Sequence, residues 1–356
     1  MLKNRRSRLK RFFEEYSLKA VLFTDLRNIR YLCGFSGSEG VLLISEENAW
    51  FLCDSRYTAQ AAEEVHDTEI RECGPVRIDT VAALVLEYGL DRIGFEAAHT
   101  TVSAFRKMAE KLDGVELVEL GPTLDEIRIC KDREEIEQLT SVATLASLAL
   151  TTVLADIKPG VREVDIALAL ELEMRRRGAD GTAFDFIVAS GVRGAMPHGR
   201  ATDKIIQSGE LVTIDFGALK NGYHSDETVT VACGKPELRA QDIHAIVRAA
   251  HDNAIRAVRP GISCKDLDEV ARSYIRDSGY GDYFGHGLGH GLGLEVHEMP
   301  TLSLRSTTVL EEGMVITVEP GIYIPGFGGV RIEDTVVVTA DGCSVLTSAD
   351  KQLLVL

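Results

Sequence analysis

The hydrophobic pattern along the chain changes character near residue 122. Before that point short apolar runs alternate with helix-like stretches. Ala20 to Phe23, Val41 to Ile44, Trp50 to Cys53 and Arg92 to Phe95 read as strands, separated by turn-rich segments such as GFSGSEG (34–40). This predicts a small α/β domain. Its DSRY segment (Asp54 to Tyr57) forms no motif with chemistry and reads as a satisfied surface or interface feature. At GPTLDEIRICKDREE the pattern breaks: Gly121-Pro122 interrupts it, and Asp132 with Glu135 forms a D-x-x-E capping box for a new helix. Along that helix Ile136, Leu139, Val142, Leu145 and Leu148 are expected to bury one face. The expected organisation is a first domain at 1–122, a linker at 123–132 and a second domain at 133–356.

The second domain repeats itself. IKPGVREVDIALALELEMRRRG, with Pro159, Gly160 and Gly178, matches VRPGISCKDLDEVARSYIRDSG, with Pro260, Gly261 and Gly279 at equal separation. The likeness continues into strands: SGELVTIDFG resembles EEGMVITVEPG, and SDETVTV resembles IEDTVVV. A long unit present twice is not a solenoid. It predicts two half-domains about a pseudo-two-fold axis, with any shared site between them, and an α+β fold class overall.

Composition narrows the function. The 356 residues are 45% apolar and 26% charged, as in ordinary globular proteins. The net charge of −16 is spread over both parts, with 18 basic against 23 acidic residues in 1–132 and 21 against 32 in 133–356. That distribution argues against a nucleic-acid-binding face. Seven scattered cysteines without a C-x-x-C pair fit reduced thiols and a cytoplasmic location. The basic start lacks an apolar signal core, because Glu14 and Glu15 interrupt it. The longest apolar stretch, near Leu145 to Leu154, is broken by Ser147, Thr151 and Thr152, so no membrane span is expected.

Acids stand in the repeated strands where alternation predicts core. In LVTIDFG, Val212 and Ile214 face one way, Thr213 and Asp215 the other; Asp226 follows in SDETVTV, and the second copy places Glu319 and Glu333 at matching positions. One acid in a strand is ordinarily a solvated residue, but a duplicated set is not explained that way. Four carboxylates aimed at one place would repel, so positive charge is expected among them, with divalent cations the leading candidate. Of nine histidines, His66, His99, His224, His244 and His251 occur singly and read as structural. His198 in MPHGR, and His286, His290 and His297 in FGHGLGHGLGLEVHEMP, lie in Gly-rich loops whose glycines are expected to let the backbone approach a ligand. The glycines do not spell G-x-G-x-x-G, and Thr301 stands where H-E-x-x-H needs its second His.

Taken together, VTIDFG, the SD-x-T step, GHGLGLEVHE, VEPGIY and GVRIEDT resemble, in order, the pita-bread metallopeptidases, which include methionine aminopeptidase, aminopeptidase P and prolidase. RNIRYLCGFSGS resembles the creatinase/prolidase-type N-terminal domain. The resemblance implies a pita-bread C-terminal domain and a metal set of Asp215, Asp226, His290, Glu319 and Glu333. Asp215 would hold one ion and His290 with Glu319 the other, Asp226 and Glu333 bridging. Carboxylate-rich ligation with one imidazole suits two Mn²⁺ ions, with Co²⁺ or Zn²⁺ as alternatives, and two cations bring the pKa of a water into the neutral range. Glu319 is expected to shuttle the proton. His198 and His297 would stabilise the oxyanion and position substrate, assisted by His286 and Arg331.

The activity implied is hydrolysis of the bond before proline at a peptide N-terminus. A strict Xaa-Pro dipeptidase is the alternative, and a non-enzymatic binding protein a weaker one because all five ligands are retained. The expected partners are a peptide with proline second and, through the N-terminal domain, a second copy of the chain. One departure stands out: Val229 replaces the Arg of the family's SD-x-T-R-T, which puts any ion pair of that Arg in doubt.

Overall fold

The apolar runs near the N-terminus pair into one sheet in the computed structural model, which describes residues 2–356 apart from the Thr123 side chain. Strands β1 (Ala20–Phe23), β2 (Val41–Ser45), β3 (Ala49–Cys53), β4 (Glu69–Glu72), β5 (Arg92–Glu96) and β6 (Glu116–Leu120) lie in the order β4-β3-β2-β1-β5-β6. β2 runs antiparallel to β1 and β3, while β5 is parallel to β1 and β6. The two edge strands are additional to the expected four. Their EIRE and ELVEL sequences carry charge, which discourages pairing with further chains. Six helices accompany the sheet: α1 (Leu2–Ser7), α2 (Lys10–Tyr16), α3 (Leu26–Cys33), α4 (Thr58–Glu64), α5 (Arg77–Tyr88) and α6 (Val102–Lys111). Leu22, Leu43, Trp50, Leu84 and Phe95 anchor the core. In DSRY, Asp54 pairs with Arg56 at 2.8 Å and the Tyr57 hydroxyl meets Ser38 at 2.6 Å, so the segment is satisfied locally.

The chain divides into two compact units between Arg128 and Ile129. A 3-10 helix, Pro122–Arg128, belongs to the first, and the Ile127 carbonyl accepts from Arg8 at 2.7 Å and Tyr31 at 2.8 Å. In the second, Cys130 bridges to Met314 and the Lys131 N–H donates to Gly313 at 2.7 Å. Residues 123–132 are thus folded into one unit or the other.

The second unit shows its repeat directly. Helices α7 (Arg133–Val153) and α8 (Glu163–Arg176) pack together, as do α9 (Leu238–Ala257) and α10 (Cys264–Ile275). Each pair has a left-handed turn glycine before its second helix, Gly160 at φ 97° and Gly261 at φ 86°. A residue with a Cβ is strained there, so glycine stands at the same point in both copies. Beyond the helices come β7 (Gly181–Thr182), β8 (Ile187–Ser190), β9 (Glu210–Phe216), β10 (Ala218–Lys220), β11 (Tyr223–His224) and β12 (Glu227–Cys233) in one copy. The other has β13 (Gly289–Gly291), β14 (Glu298–Leu302), β15 (Val315–Val318), β16 (Gly321–Ile324), β17 (Gly328–Arg331), β18 (Asp334–Val338) and β19 (Cys343–Val345). The main sheets run β12-β9-β8 and β14-β13-β15-β18-β19. A bridge between Thr228 and Glu333 joins them.

The capping box forms as expected: Asp132 Oδ1 accepts from the Glu135 N–H and Glu135 Oε2 from the Asp132 N–H, both at 3.0 Å. The buried face of α7 differs from expectation. Leu139, Val142 and Leu145 are buried, but Leu148 is 48% exposed. A strict step of three drifts about 60° per step against a 3.6-residue turn, so five such residues cannot share a face. The residues that stay inside are Glu135, Leu139, Val142, Ala143, Leu145, Ala146, Ser147, Ala149, Leu150 and Val153. Contrary to expectation, α7 with its extension, Arg133–Asp156, is long and apolar enough by length and composition to cross a membrane. Half of its most apolar window is buried inside the protein, as in a core helix.

Candidate metal centre

The acids are carried by two strand pairs, β9 with β12 and β15 with β18. In β9 and β12 Asp215 lies opposite Thr228 and Thr213 opposite Thr230, the two threonine hydroxyls 3.1 Å apart. Asp226 immediately precedes β12, and Glu333 immediately precedes β18. Glu319 follows β15, two residues beyond Thr317 and on its face. Thr228 donates to Glu333 Oε2 at 2.6 Å and Thr317 to Glu319 Oε1 at 3.4 Å. Asp226 and Glu333 are buried, Asp215 and Glu319 partly so.

His290 completes this cluster. Its Nδ1 is 3.0 Å from the Gly291 carbonyl, an acceptor, so Nδ1 carries the proton and Nε2 presents a lone pair. That lone pair lies 3.4 Å from Glu319 Oε1 and 3.6 Å from Asp226 Oδ2. Ligand atoms of Asp226, His290 and Glu333 all fall within 4.8 Å of one another. Asp215 Oδ1, Asp226 Oδ1 and Glu333 Oε1 are buried without a hydrogen-bond partner among the described residues. Such a set of acceptors lacks donors and fits divalent cations.

Electrostatics points the same way. Burial, then Glu333 and Asp215, pushes the Asp226 carboxyl well above the usual range. Burial, then Glu319 and Asp215, does the same to Glu333. Burial lifts Glu319 to about 8, and it lowers His290 to about 4, with His297 adding to the effect. His290 is therefore neutral near pH 7.

One positive charge is already built in. Arg331, 3% exposed, places Nη2 at 2.5 Å from Asp215 Oδ2. Its Nε donates to Thr228 Oγ1 at 3.2 Å, and Nη1 to the Pro197 carbonyl at 3.1 Å and the Tyr323 hydroxyl at 2.9 Å. Tyr323 in turn meets His286 Nε2 at 2.9 Å. Burial lowers His286 to about 4. The His297 ring stands edge-on to that of His290, centroids 4.2 Å apart. His198, exposed, directly follows Pro197 and is near enough to His286 and His297 to disfavour their protonation.

The loops bearing these histidines are held from outside. Glu163, fully buried at the start of α8, accepts from the Ser190 N–H at 2.8 Å and from Thr202 Oγ1 at 2.9 Å, and pairs with Arg193. In α10, Arg272 donates to the Phe284 and His286 carbonyls at 2.8 and 2.6 Å. Sequence reasoning missed Tyr323, Thr228, Thr317, Glu163 and Arg272. Period-2 alternation places both threonines on the acids' face and could have found them; nothing local marks the other three. Val229, buried, pairs with Ile214 and lies on the face of β12 opposite Thr228, away from the acids.

Comparison with known proteins decides the family. Residues 137–340 match metallopeptidase family M24, and residues 5–130 match the creatinase/prolidase N-terminal domain. The chain belongs to metallopeptidase family M24. This metallopeptidase is 42% identical to a solved Xaa-Pro dipeptidase from Bacillus anthracis, each chain covered fully, with a TM-score of 0.98. It is 39% identical to a solved X-Pro aminopeptidase from Thermotoga maritima MSB8, covering 96% of this chain and 98% of that one, with a TM-score of 0.92. Among curated relatives, a Xaa-Pro dipeptidase of Pyrococcus furiosus is 38% identical over 99% of this chain and 100% of its own length. The M24 chain is therefore a hydrolase with a pita-bread fold.

The glycines flanking His290 are crowded by neighbouring backbone. A Cβ on Gly289 would fall inside contact distance of the Thr317 carbonyl, and one on Gly291 inside that of Met299. β13 is squeezed between backbones of β14 and β15, which by itself leaves no room for a Cβ at either position. Gly285, by contrast, faces open space. Gly289→Ala should therefore lose about 1–3 kcal/mol of stability in urea unfolding. Gly285→Ala should stay within about 0.5 kcal/mol; equal midpoints for the two would refute the crowding argument.

Proposed function

We propose that this M24 metallopeptidase hydrolyses the Xaa-Pro bond at peptide N-termini with two divalent metal ions. The observation that carries the metal reading is the group of orphaned carboxylate oxygens of Asp215, Asp226 and Glu333 beside the His290 Nε2 lone pair. Asp215 would hold one ion, His290 and Glu319 the other, and Asp226 and Glu333 both; Mn²⁺ is the metal we favour, with Co²⁺ and Zn²⁺ as competitors. When bound, the pair supplies Lewis acidity and an activated water.

The chain's own groups do the rest. Glu319 is assigned to take up a proton and pass it to the leaving proline nitrogen. His198 and His297 are assigned to donate toward the oxygen that develops negative charge. His286, held by Tyr323, and Arg331, held by Asp215, keep that side of the site in shape. The bond before proline lacks an N–H, so the site must grip the ring instead.

The similar proteins, Xaa-Pro dipeptidases and an X-Pro aminopeptidase, support an Xaa-Pro substrate and divide on its length. We favour cleavage of both Xaa-Pro and Xaa-Pro-Yaa; a strict dipeptidase is the second reading, which the two Xaa-Pro dipeptidase names support. A homodimer through the N-terminal unit and a cytoplasmic location complete the proposal, the latter supported by the free cysteines.

Metal analysis of reconstituted protein should approach two equivalents per chain. His290→Ala should lose metal, whereas His198→Ala and His297→Ala should keep it and lose roughly a hundredfold in kcat. Equal metal loss in all three, or normal turnover in Asp226→Asn, would sink the assignment. Light scattering of the full chain should give a dimer mass, and a monomer removes that part of the proposal. For substrate, kcat/KM is compared for Ala-Pro, Ala-Pro-Ala and Ala-Ala-Ala: the first two should be cleaved and the third hardly at all. Action on Ala-Pro alone selects the strict dipeptidase, and rapid cleavage of Ala-Ala-Ala rejects proline recognition.

A further inference from the structure

Both bridging candidates are followed by a second acid: Asp226 by Glu227, and Glu333 by Asp334. Successive strand residues point to opposite faces, so Glu227 and Asp334 lie on the reverse of the strands that present the metal acids. One cation joins them there. Lys351 Nζ lies 2.5 Å from Glu227 Oε1 and 3.1 Å from Asp334 Oδ1, with all three side chains buried. Other groups also face the acids: Glu227 Oε2 accepts from Ser147 Oγ and Asp334 Oδ1 from Thr347 Oγ1, each at 2.6 Å, while Asp334 Oδ2 lies 3.3 Å from His251 Nε2. The Ala349 N–H adds a further bond to Glu227 at 2.9 Å.

This junction lies between the two copies of the repeat. β12 and β18 belong to different sheets and are directly joined near the site by the Thr228–Glu333 bridge. The segment 347–351 fastens the same two strands from the other side. We propose that Lys351 is a positioning residue, setting the separation of Asp226 and Glu333 and thereby the affinity of the centre for its metal ions. The inference rests on the reading that these two acids share the ions.

Simple electrostatics predicts the opposite sign from positioning. Removing a nearby positive charge makes the region more negative and should tighten cation binding. Losing the tie should weaken it, since outer partners of metal ligands are worth roughly tenfold to a hundredfold in affinity. Metal-free full-length protein is titrated calorimetrically with MnCl2, with circular dichroism as the check on folding. Wild type should take two ions; if it does not, the metal-centre reading itself falls. With two ions in wild type, Lys351→Met should bind at least one of them roughly tenfold to a hundredfold more weakly while remaining folded. Unchanged or tighter binding by folded Lys351→Met overturns the proposal. If that variant does not fold, Ser147→Ala removes one hold on Glu227 and should weaken an ion by about threefold; unchanged affinity there overturns it equally.

Discussion

Mutual repulsion among buried carboxylates is the constraint around which the second unit is organised. Burial raises the cost of ionising Asp226, Glu319 and Glu333, and repulsion from neighbouring acids, Asp215 among them, adds to it. A protein brings such groups together only where opposing charge offsets them. Part of it here is internal, through Arg331 on Asp215. The threonines on the same face contribute hydrogen bonds to Glu333 and Glu319. What these leave unsatisfied is a set of bare acceptor oxygens, the signature of a cation site.

Duplication is how the fold meets that constraint. Each copy supplies a strand pair and an acid at each of two equivalent places, so the charges converge only where the copies join. The second copy alone adds the histidine of β13, and crowding by neighbouring backbone makes glycine obligatory beside it. Helices α8 and α10 then fix the loops by different means, a buried glutamate in one copy and an arginine in the other. The common architecture is a matter of backbone geometry, and the two copies have diverged in the side chains that serve the site.

Local pattern made much of this legible. The central strands of the first sheet, the capping box at Asp132 and the repeat follow from apolar runs, a four-residue motif and matched Pro-Gly turns. Alternation in LVTIDFG placed Asp215 on the face of Thr213, and the pairing of β9 with β12 sets these two opposite Thr228 and Thr230. The edge strands escaped because polar residues dilute their apolar signal. Leu148 was misassigned because a step of three imitates a helical face over one turn and departs from it over four. Tyr323, Glu163 and Arg272 act through partners distant in sequence, and no local rule marks a residue whose importance is the loop it holds.

Arg331 shows how far such holding can go. A guanidinium has five N–H donors in a rigid plane. Thr228, Pro197, Tyr323 and Asp215 occupy four of them. Its donor valence is nearly exhausted by the protein itself, so it has little freedom to swing toward a substrate. It acts as a fixed wall of positive potential whose orientation is decided before any peptide arrives. A lysine, with a rotating ammonium and three donors, could not satisfy the same four partners from one plane.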